Sequence, residues 1–242
     1  AQSPPPNPSK QATASEFVAL YDRLRRTPNL EERIALLEEL LRSESTLKEW
    51  PLPTSREAVK GELWWLLGGS HQRRPQGSRA DNLEAAIKAY ETALTFRTRQ
   101  AFPVEWAITQ NSLGIAYRLR IRGTRADNLE LAIRCYEAAL TVRTREALPQ
   151  PWAETHNNLA IAYRERIGGN RADNLEAALK SYEAALTVRT REAMPKDWAL
   201  TQNNLGNAYR QRIRGDRAEN LELAIRSFEA ALTVRTQSIS QR

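Results

Sequence analysis

The stretch Arg171-Ala-Asp-Asn-Leu-Glu176 decides the fold, because the chain repeats it. RADNLE begins at Arg79, Arg125 and Arg171, and RAENLE at Arg217, each 46 residues after the last. A period held without slippage marks a repeat array, in which every unit buries its apolar face on its neighbours. Such an array offers a long surface and no single deep pocket, so the repeat bears on function as much as on fold.

Residues 171–216 show what one unit contains. Asp173 is placed to cap a helix, with Glu176 three residues on completing a capping box. Leu175, Ala178, Leu179, Tyr182, Ala185 and Leu186 recur at steps of three and four, the stripe of an amphipathic helix. Arg189 and Arg191 lie near its end, where positive charge is favoured. Pro195 interrupts the chain and starts a second helix, which carries Trp198, Thr201, Leu205, Ala208, Tyr209 and Arg212. Gly215 supplies the turn. The unit is a pair of antiparallel helices. Residues 125–170 and 171–216 agree at 32 of 46 positions. Each side-chain position is therefore expected to form a ladder along the stack.

The core pattern resembles the tetratricopeptide repeat (TPR). One helix signature reads Leu113-Gly114-x-Ala116-Tyr117, Leu159-Ala160-x-Ala162-Tyr163 and Leu205-Gly206-x-Ala208-Tyr209. The other reads Ala86, Tyr90, Ala93 and Leu94, then Ala132, Tyr136, Ala139 and Leu140, then Ala178, Tyr182, Ala185 and Leu186, then Ala224, Phe228, Ala231 and Leu232. The usual TPR period is about 34 residues, so these units are lengthened by about twelve. They look like the long TPR arrays of bacteria. The resemblance spans roughly residues 60–236 and implies an all-α fold, a right-handed α-solenoid of antiparallel helix pairs, that is, a TPR-like superhelix.

Ahead of the array, residues 1–14 have the composition of an extended, proline-rich arm. Residues 15–53 form an expected N-terminal helical cap, with helices over 15–26 and 30–43 and breaks at Pro51 and Pro53. Residues 54–242 then make four units, the first degenerate: Leu67-Gly68 keeps register, His71 stands where tyrosine is expected, and Trp64 and Trp65 have no counterparts. The cap or a partner must cover Trp65 and Leu66.

Composition narrows the functions. The chain has 242 residues, 41% of them hydrophobic and 27% charged, enough for a continuous core. No apolar run approaches the ~18–20 residues that span a bilayer. The net charge of +7 is spread so that neither residues 1–78 nor any repeat carries more than +3, which argues against a nucleic-acid partner. Cys135 is the only cysteine and sits where other repeats have Ala89, Ser181 and Ser227, a small packing position. The Ala1-Gln-Ser start resembles a mature end left by signal-peptide removal, which favours a secreted or extracytoplasmic protein over a cytoplasmic one. With two histidines, His71 and His156, and no metal-ligand spacing, phosphate loop or nucleophile motif, the expectation is no catalysis, no metal and no cofactor.

The resemblance places a ligand groove along the first helix of each hairpin. That face holds three rows: Asn111, Asn157 and Asn203; Ser112, Asn158 and Asn204; Arg118, Arg164 and Arg210. Amides both donate and accept, so an asparagine row suits an extended peptide backbone, and the arginines suit its carboxylates. Trp65 lies on the same face of the degenerate unit. The competing reading has the asparagines bridging neighbouring helices. The column Trp106, Trp152 and Trp198 and the tyrosines of the Leu-Gly-x-Ala-Tyr motif read as core. Arg97, Arg99, Arg143, Arg145, Arg189 and Arg191 form a second ladder. Glu84, Glu130, Glu176 and Glu222 would balance it in solvated pairs worth ~0–1 kcal/mol each.

Two functions compete at this level. One is a non-catalytic scaffold binding a protein or peptide. The other is a structural subunit that binds itself, stacking head-to-tail into an extracellular filament or tube. It rests on the end of the array, where QSISQR after Thr236 replaces the R-E-A-x-P continuation and leaves the last hairpin without a polar cover.

Overall fold

The computed structural model describes residues 13–239, so nearly all of the proline-rich arm expected at 1–14 lies outside the described residues. Within them the chain is all-α, a solenoid of ten helices with no strand: α1 (Ala14–Arg26), α2 (Leu30–Thr46), α3 (Arg56–Arg73), α4 (Arg79–Phe96), α5 (Pro103–Leu119), α6 (Arg125–Leu140), α7 (Pro149–Glu165), α8 (Arg171–Leu186), α9 (Pro195–Gln211) and α10 (Arg217–Ile239). Two compact units divide the chain between Phe102 and Pro103. In each, helices pack on their neighbours in chain order, most closely within the hairpins α3–α4, α5–α6, α7–α8 and α9–α10. The first helix of each hairpin is termed A and the second B.

RADNLE, or RAENLE in α10, opens every B helix, and its side chains explain why it recurs. The cap is the residue before it. Ser78 and Thr124 accept from the amides of Asp81 and Asp127, Asn170 accepts from those of Ala172 and Asp173, and Asp216 accepts from that of Glu219. This corrects the expectation that Asp173 caps α8. The hairpin turn delivers Asn170 three residues earlier, and Asp173 falls in the first turn, where its charge suits the helix N-terminus. The motif's arginine reaches back to the end of the A helix: Arg171 donates to the carbonyl of Arg164 at 2.5 Å and Arg217 to that of Arg210 at 2.6 Å. Its asparagine is buried and holds the turn. Asn82, Asn128, Asn174 and Asn220 donate from Nδ2 to the carbonyls of Gln76, Arg122, Gly168 and Arg214 at 2.7–2.9 Å. That tight turn needs a left-handed residue, and Gly77, Gly123, Gly169 and Gly215 supply it at φ between 74° and 79°.

Inside three of the four hairpins a glycine lets a ring approach, and in α7–α8 Ala160 takes its place beside Tyr182. A Cβ on Gly114 would sit 2.6 Å from Cε1 of Tyr136, and Gly68 and Gly206 stand in the same relation to Tyr90 and Phe228. Tyr136 and Tyr182 are fully buried.

In the second unit, hairpins are joined by two further ladders. Arg143 and Arg189 are buried, and each donates from Nη1 to a threonine of the next A helix, Thr155 at 2.9 Å and Thr201 at 3.0 Å. They are not the solvated charges expected of them. Burial lowers the pKa of Arg143, with Glu154 at 3.4 Å opposing the shift, and lowers that of Arg189 too. The glutamates pair elsewhere: Glu130 takes both ends of Arg166 at 2.6 and 2.9 Å, and Glu176 those of Arg212 at 2.8 and 2.9 Å. B-helix carboxylates therefore clamp the C-terminal ends of the following A helices.

The first unit is built around Phe17, Leu24, Leu37, Leu40 and Leu63, with Trp64 and Leu66 packed against that cluster. The N-terminal helices thus cover the apolar surface of α3. Glu44, buried between them, is held by Arg56 at 2.5 Å and Lys60 at 3.2 Å. Glu31 clamps Arg74 in the manner of Glu176 and Arg212.

Candidate functional site

The structure separates the rows that the sequence placed together. Asn111 and Asn157 are buried, and their Oδ1 atoms accept from Nδ2 of Asn158 and Asn204 in the next hairpin at 3.2 and 3.3 Å. Four of the candidate groove asparagines therefore join neighbouring A helices, and a peptide backbone would have to displace those bonds. The cause is reach. Asparagine is short, and at these positions its amide meets the adjacent helix, where a buried polar group requires a partner. Asn203 is half-buried, and its carbonyl accepts from Asn207 at 3.0 Å. Ser112 turns back to the carbonyl of Ile108.

Trp65 is half-buried, with the Arg97 guanidinium 5.3 Å from its ring centroid. Trp106, Trp152 and Trp198 are half-buried rather than core. Trp152 meets His156 edge-on at 4.4 Å, and burial lowers that imidazole's pKa. Among the motif tyrosines Tyr117 is buried. Tyr163 and Tyr209 lie nearer the surface, donating to Glu137 at 2.7 Å and Glu183 at 3.1 Å.

The arginine row remains available. The Arg118 and Arg164 side chains are partly exposed, and their buried Nε atoms have no hydrogen-bond partner; Arg210 is exposed. Beside them stand the RADNLE arginines Arg125, Arg171 and Arg217. Among the described residues one carboxylate serves this group: Glu165, 3.8 Å from Arg118, 3.8 Å from Arg164 and 2.5 Å from Arg125. In the next repeat Gln211 replaces it and accepts from Arg171 at 2.9 Å. Three residues beyond each row arginine stands an exposed isoleucine, Ile121, Ile167 and Ile213, each 60–62% accessible. The edge of the A helices in the second unit therefore alternates cation and aliphatic group at the 46-residue period. The equivalent residues in the first hairpin are Gln72 and Pro75. Sequence reasoning found the arginines but missed the isoleucines. Their fixed spacing beside the turn glycine was the signal.

One depression of about 170 Å³ lies between α8 and α9, lined by Glu176, Leu179, Lys180, Glu183, Tyr209 and Arg212. That is below the ~300–1,000 Å³ of ordinary small-molecule sites. Among the described residues no cluster of three or more histidines, cysteines and carboxylates is placed to hold a metal ion, and no helix is long and apolar enough to cross a membrane.

No protein-family model matches the chain, and no curated protein does. Among solved structures, the crystal structure of BtubC (BKLC) from P. vanneervenii is similar over 93% of this chain and 80% of that one, with a TM-score of 0.66 and 20% sequence identity. A likeness at that identity is one of fold.

Proposed function

We propose that the protein is a non-catalytic interaction scaffold of the TPR type, and that the A-helix edge of its second unit binds an extended, acidic protein segment. The carrying observation is the stripe Arg118, Arg164 and Arg210, flanked by Arg125, Arg171 and Arg217, with Glu165 ion-paired to it among the described residues. Arginine forks pair with carboxylates in two-pronged geometry, and a row at fixed spacing reads an extended chain better than a compact one. Ile121, Ile167 and Ile213 favour a protein over a nucleic acid, because exposed aliphatic groups suit apolar side chains and not phosphates.

The test is a fluorescent peptide of alternating glutamate and leucine titrated against the chain, with a single-stranded oligonucleotide of equal charge alongside. The expected result is saturable peptide binding, weakened at least tenfold in the triple variant R118A/R164A/R210A. Equal affinity of wild type and triple variant would remove the proposal, and so would tighter binding of the oligonucleotide.

A further inference from the structure

Beneath the arginine stripe of the second unit lies a layer of buried donors. Tyr136 and Tyr182 are 0% exposed, and neither hydroxyl has a hydrogen-bond partner among the described residues. The Nε atoms of Arg118 and Arg164 are buried and lack one too. The register brings these groups together. The Tyr136 ring lies against Gly114, and Arg118 follows four residues on, one turn further along the same face of α5. Tyr182 packs with Ala160, four residues before Arg164 on α7. Burial raises the pKa of both phenols, Arg118 opposes the rise at Tyr136 and Arg164 at Tyr182, and Glu165 acts on both. Each hydroxyl therefore keeps its proton at neutral pH and faces the charges of the stripe.

The other hairpins resolve the same position differently. In α3–α4 the arginine is replaced by Gln72, whose Oε1 accepts from the Tyr90 hydroxyl at 3.0 Å. In α9–α10 the tyrosine is replaced by Phe228, at the register of Arg210, and the hydroxyl is gone. Where arginine and tyrosine meet, a guanidinium brings only donors. Glu165 stands 3.8 Å from Arg118 and from Arg164, an ion-pair distance, and makes its short bond of 2.5 Å to Arg125.

We propose that the Tyr136 and Tyr182 hydroxyls are ligand contacts. The acidic segment inserts one carboxylate beside Arg118 and another beside Arg164. Each carboxylate accepts from a tyrosine hydroxyl and from an arginine N–H at once, one donor for each of its oxygens. Entry swings the partly exposed arginine side chains outward, and Glu165 gives up Arg118 and Arg164 while keeping Arg125. This inference rests on the acidic-segment reading and adds to it the groups that hold the carboxylates below the surface.

The experiment uses the intact chain and the fluorescent glutamate–leucine peptide. The double variant Y136F/Y182F removes two oxygen atoms, and Phe228 shows that this register accepts a phenyl ring. Anisotropy at pH 7 should give about tenfold weaker binding to the double variant and about threefold to each single one, a modest net gain per hydrogen bond. Melting temperature and helical circular dichroism should match wild type. Equal affinity of wild type and double variant overturns the proposal. If R118A/R164A/R210A still loses the peptide in that case, the stripe reading stands without the hydroxyls. A loss of affinity that comes with a lower melting temperature also overturns it, since the hydroxyls would then act on the fold. Absence of saturable binding to wild type removes both readings together.

Discussion

Nδ2 of Asn158 donates to Oδ1 of Asn111 at 3.2 Å, 47 residues back, and Asn204 makes the same bond to Asn157 at 3.3 Å. The bond ties A helix to A helix inside the second unit. Asn157→Ala removes a buried side chain and strands the half-buried amide of Asn204, and is expected to cost about 1 kcal/mol. Urea unfolding followed by circular dichroism measures it. Peptide affinity of the folded variant should change less than twofold. A variant of unchanged stability that lost the peptide would return the asparagines to the binding surface.

The buried arginines offer a second test. Thr155→Val removes the shortest of the three bonds from Nη1 of Arg143, leaving the longer ones to Pro151 and Glu154, and should destabilise by about 1–2 kcal/mol, since the bond involves a charge in a buried site. Adding Arg143→Met should recover part of that loss, because an apolar side chain of similar length needs no partner. A double-mutant cycle in guanidinium chloride gives the coupling. Strictly additive costs would show that the two side chains act independently.

How far the sequence discloses this molecule depends on the reach of each side chain. The helix pairs were legible because Leu175, Ala178, Leu179 and Tyr182 fall on a 3.6-residue period, and because Pro149 and Pro195 announce α7 and α9. The role of Asn174 was not, since periodicity says nothing about a side chain that folds back on a turn six residues earlier. Arg143 and Arg145 look alike in the sequence, yet only the loop's path buries one and exposes the other. Arg118, Arg164 and Arg210 stand near the ends of the A helices, while four of the asparagines join neighbouring A helices.

Tyr182 is fully buried, and burial pushes its phenol up to about 12 from an ordinary 10.0, with Arg164 pulling the other way. Arg164 lies close to the hydroxyl, but the geometry of a hydrogen bond is not met. The folded state holds this proton more tightly than the unfolded chain. Its contribution is therefore complete below pH 10 and lost as pH rises from 10 toward 12. Tyr182→Phe should leave stability at pH 7 within about 1 kcal/mol, as Phe228 at the same register suggests. It should also reduce the alkaline loss. Thermal melts at pH 8, 10 and 11 decide it. A large cost at pH 7 would mean that the hydroxyl has a partner after all.

The acid side has the opposite sign. Arg212 holds the Glu176 carboxyl below its ordinary 4.5, mainly through the hydrogen bonds between them. That contribution is present above pH 4.5 and disappears as pH falls further. Arg212→Gln should lower the melting temperature at pH 7 and flatten its dependence between pH 5 and 3. An unchanged acid profile would place the sensitivity in other carboxylates, with Glu31 beside Arg74 the next to examine.

Glu165 gives the most discriminating test of the arginine stripe, because the binding proposal and a purely structural role predict opposite signs. Its carboxylate lies within ion-pair distance of Arg118, Arg125 and Arg164, so an acidic partner must compete with it for the same guanidinium groups. Glu165→Gln keeps the shape and removes the competitor. Affinity for the glutamate–leucine peptide should rise about three- to tenfold near 50 mM salt. The gain should vanish near 1 M, where the screening length falls to about 3 Å. If Glu165 instead holds the arginines in position, the same substitution loosens them and affinity falls at every salt concentration. A fall of that kind would assign the stripe to the architecture of the solenoid.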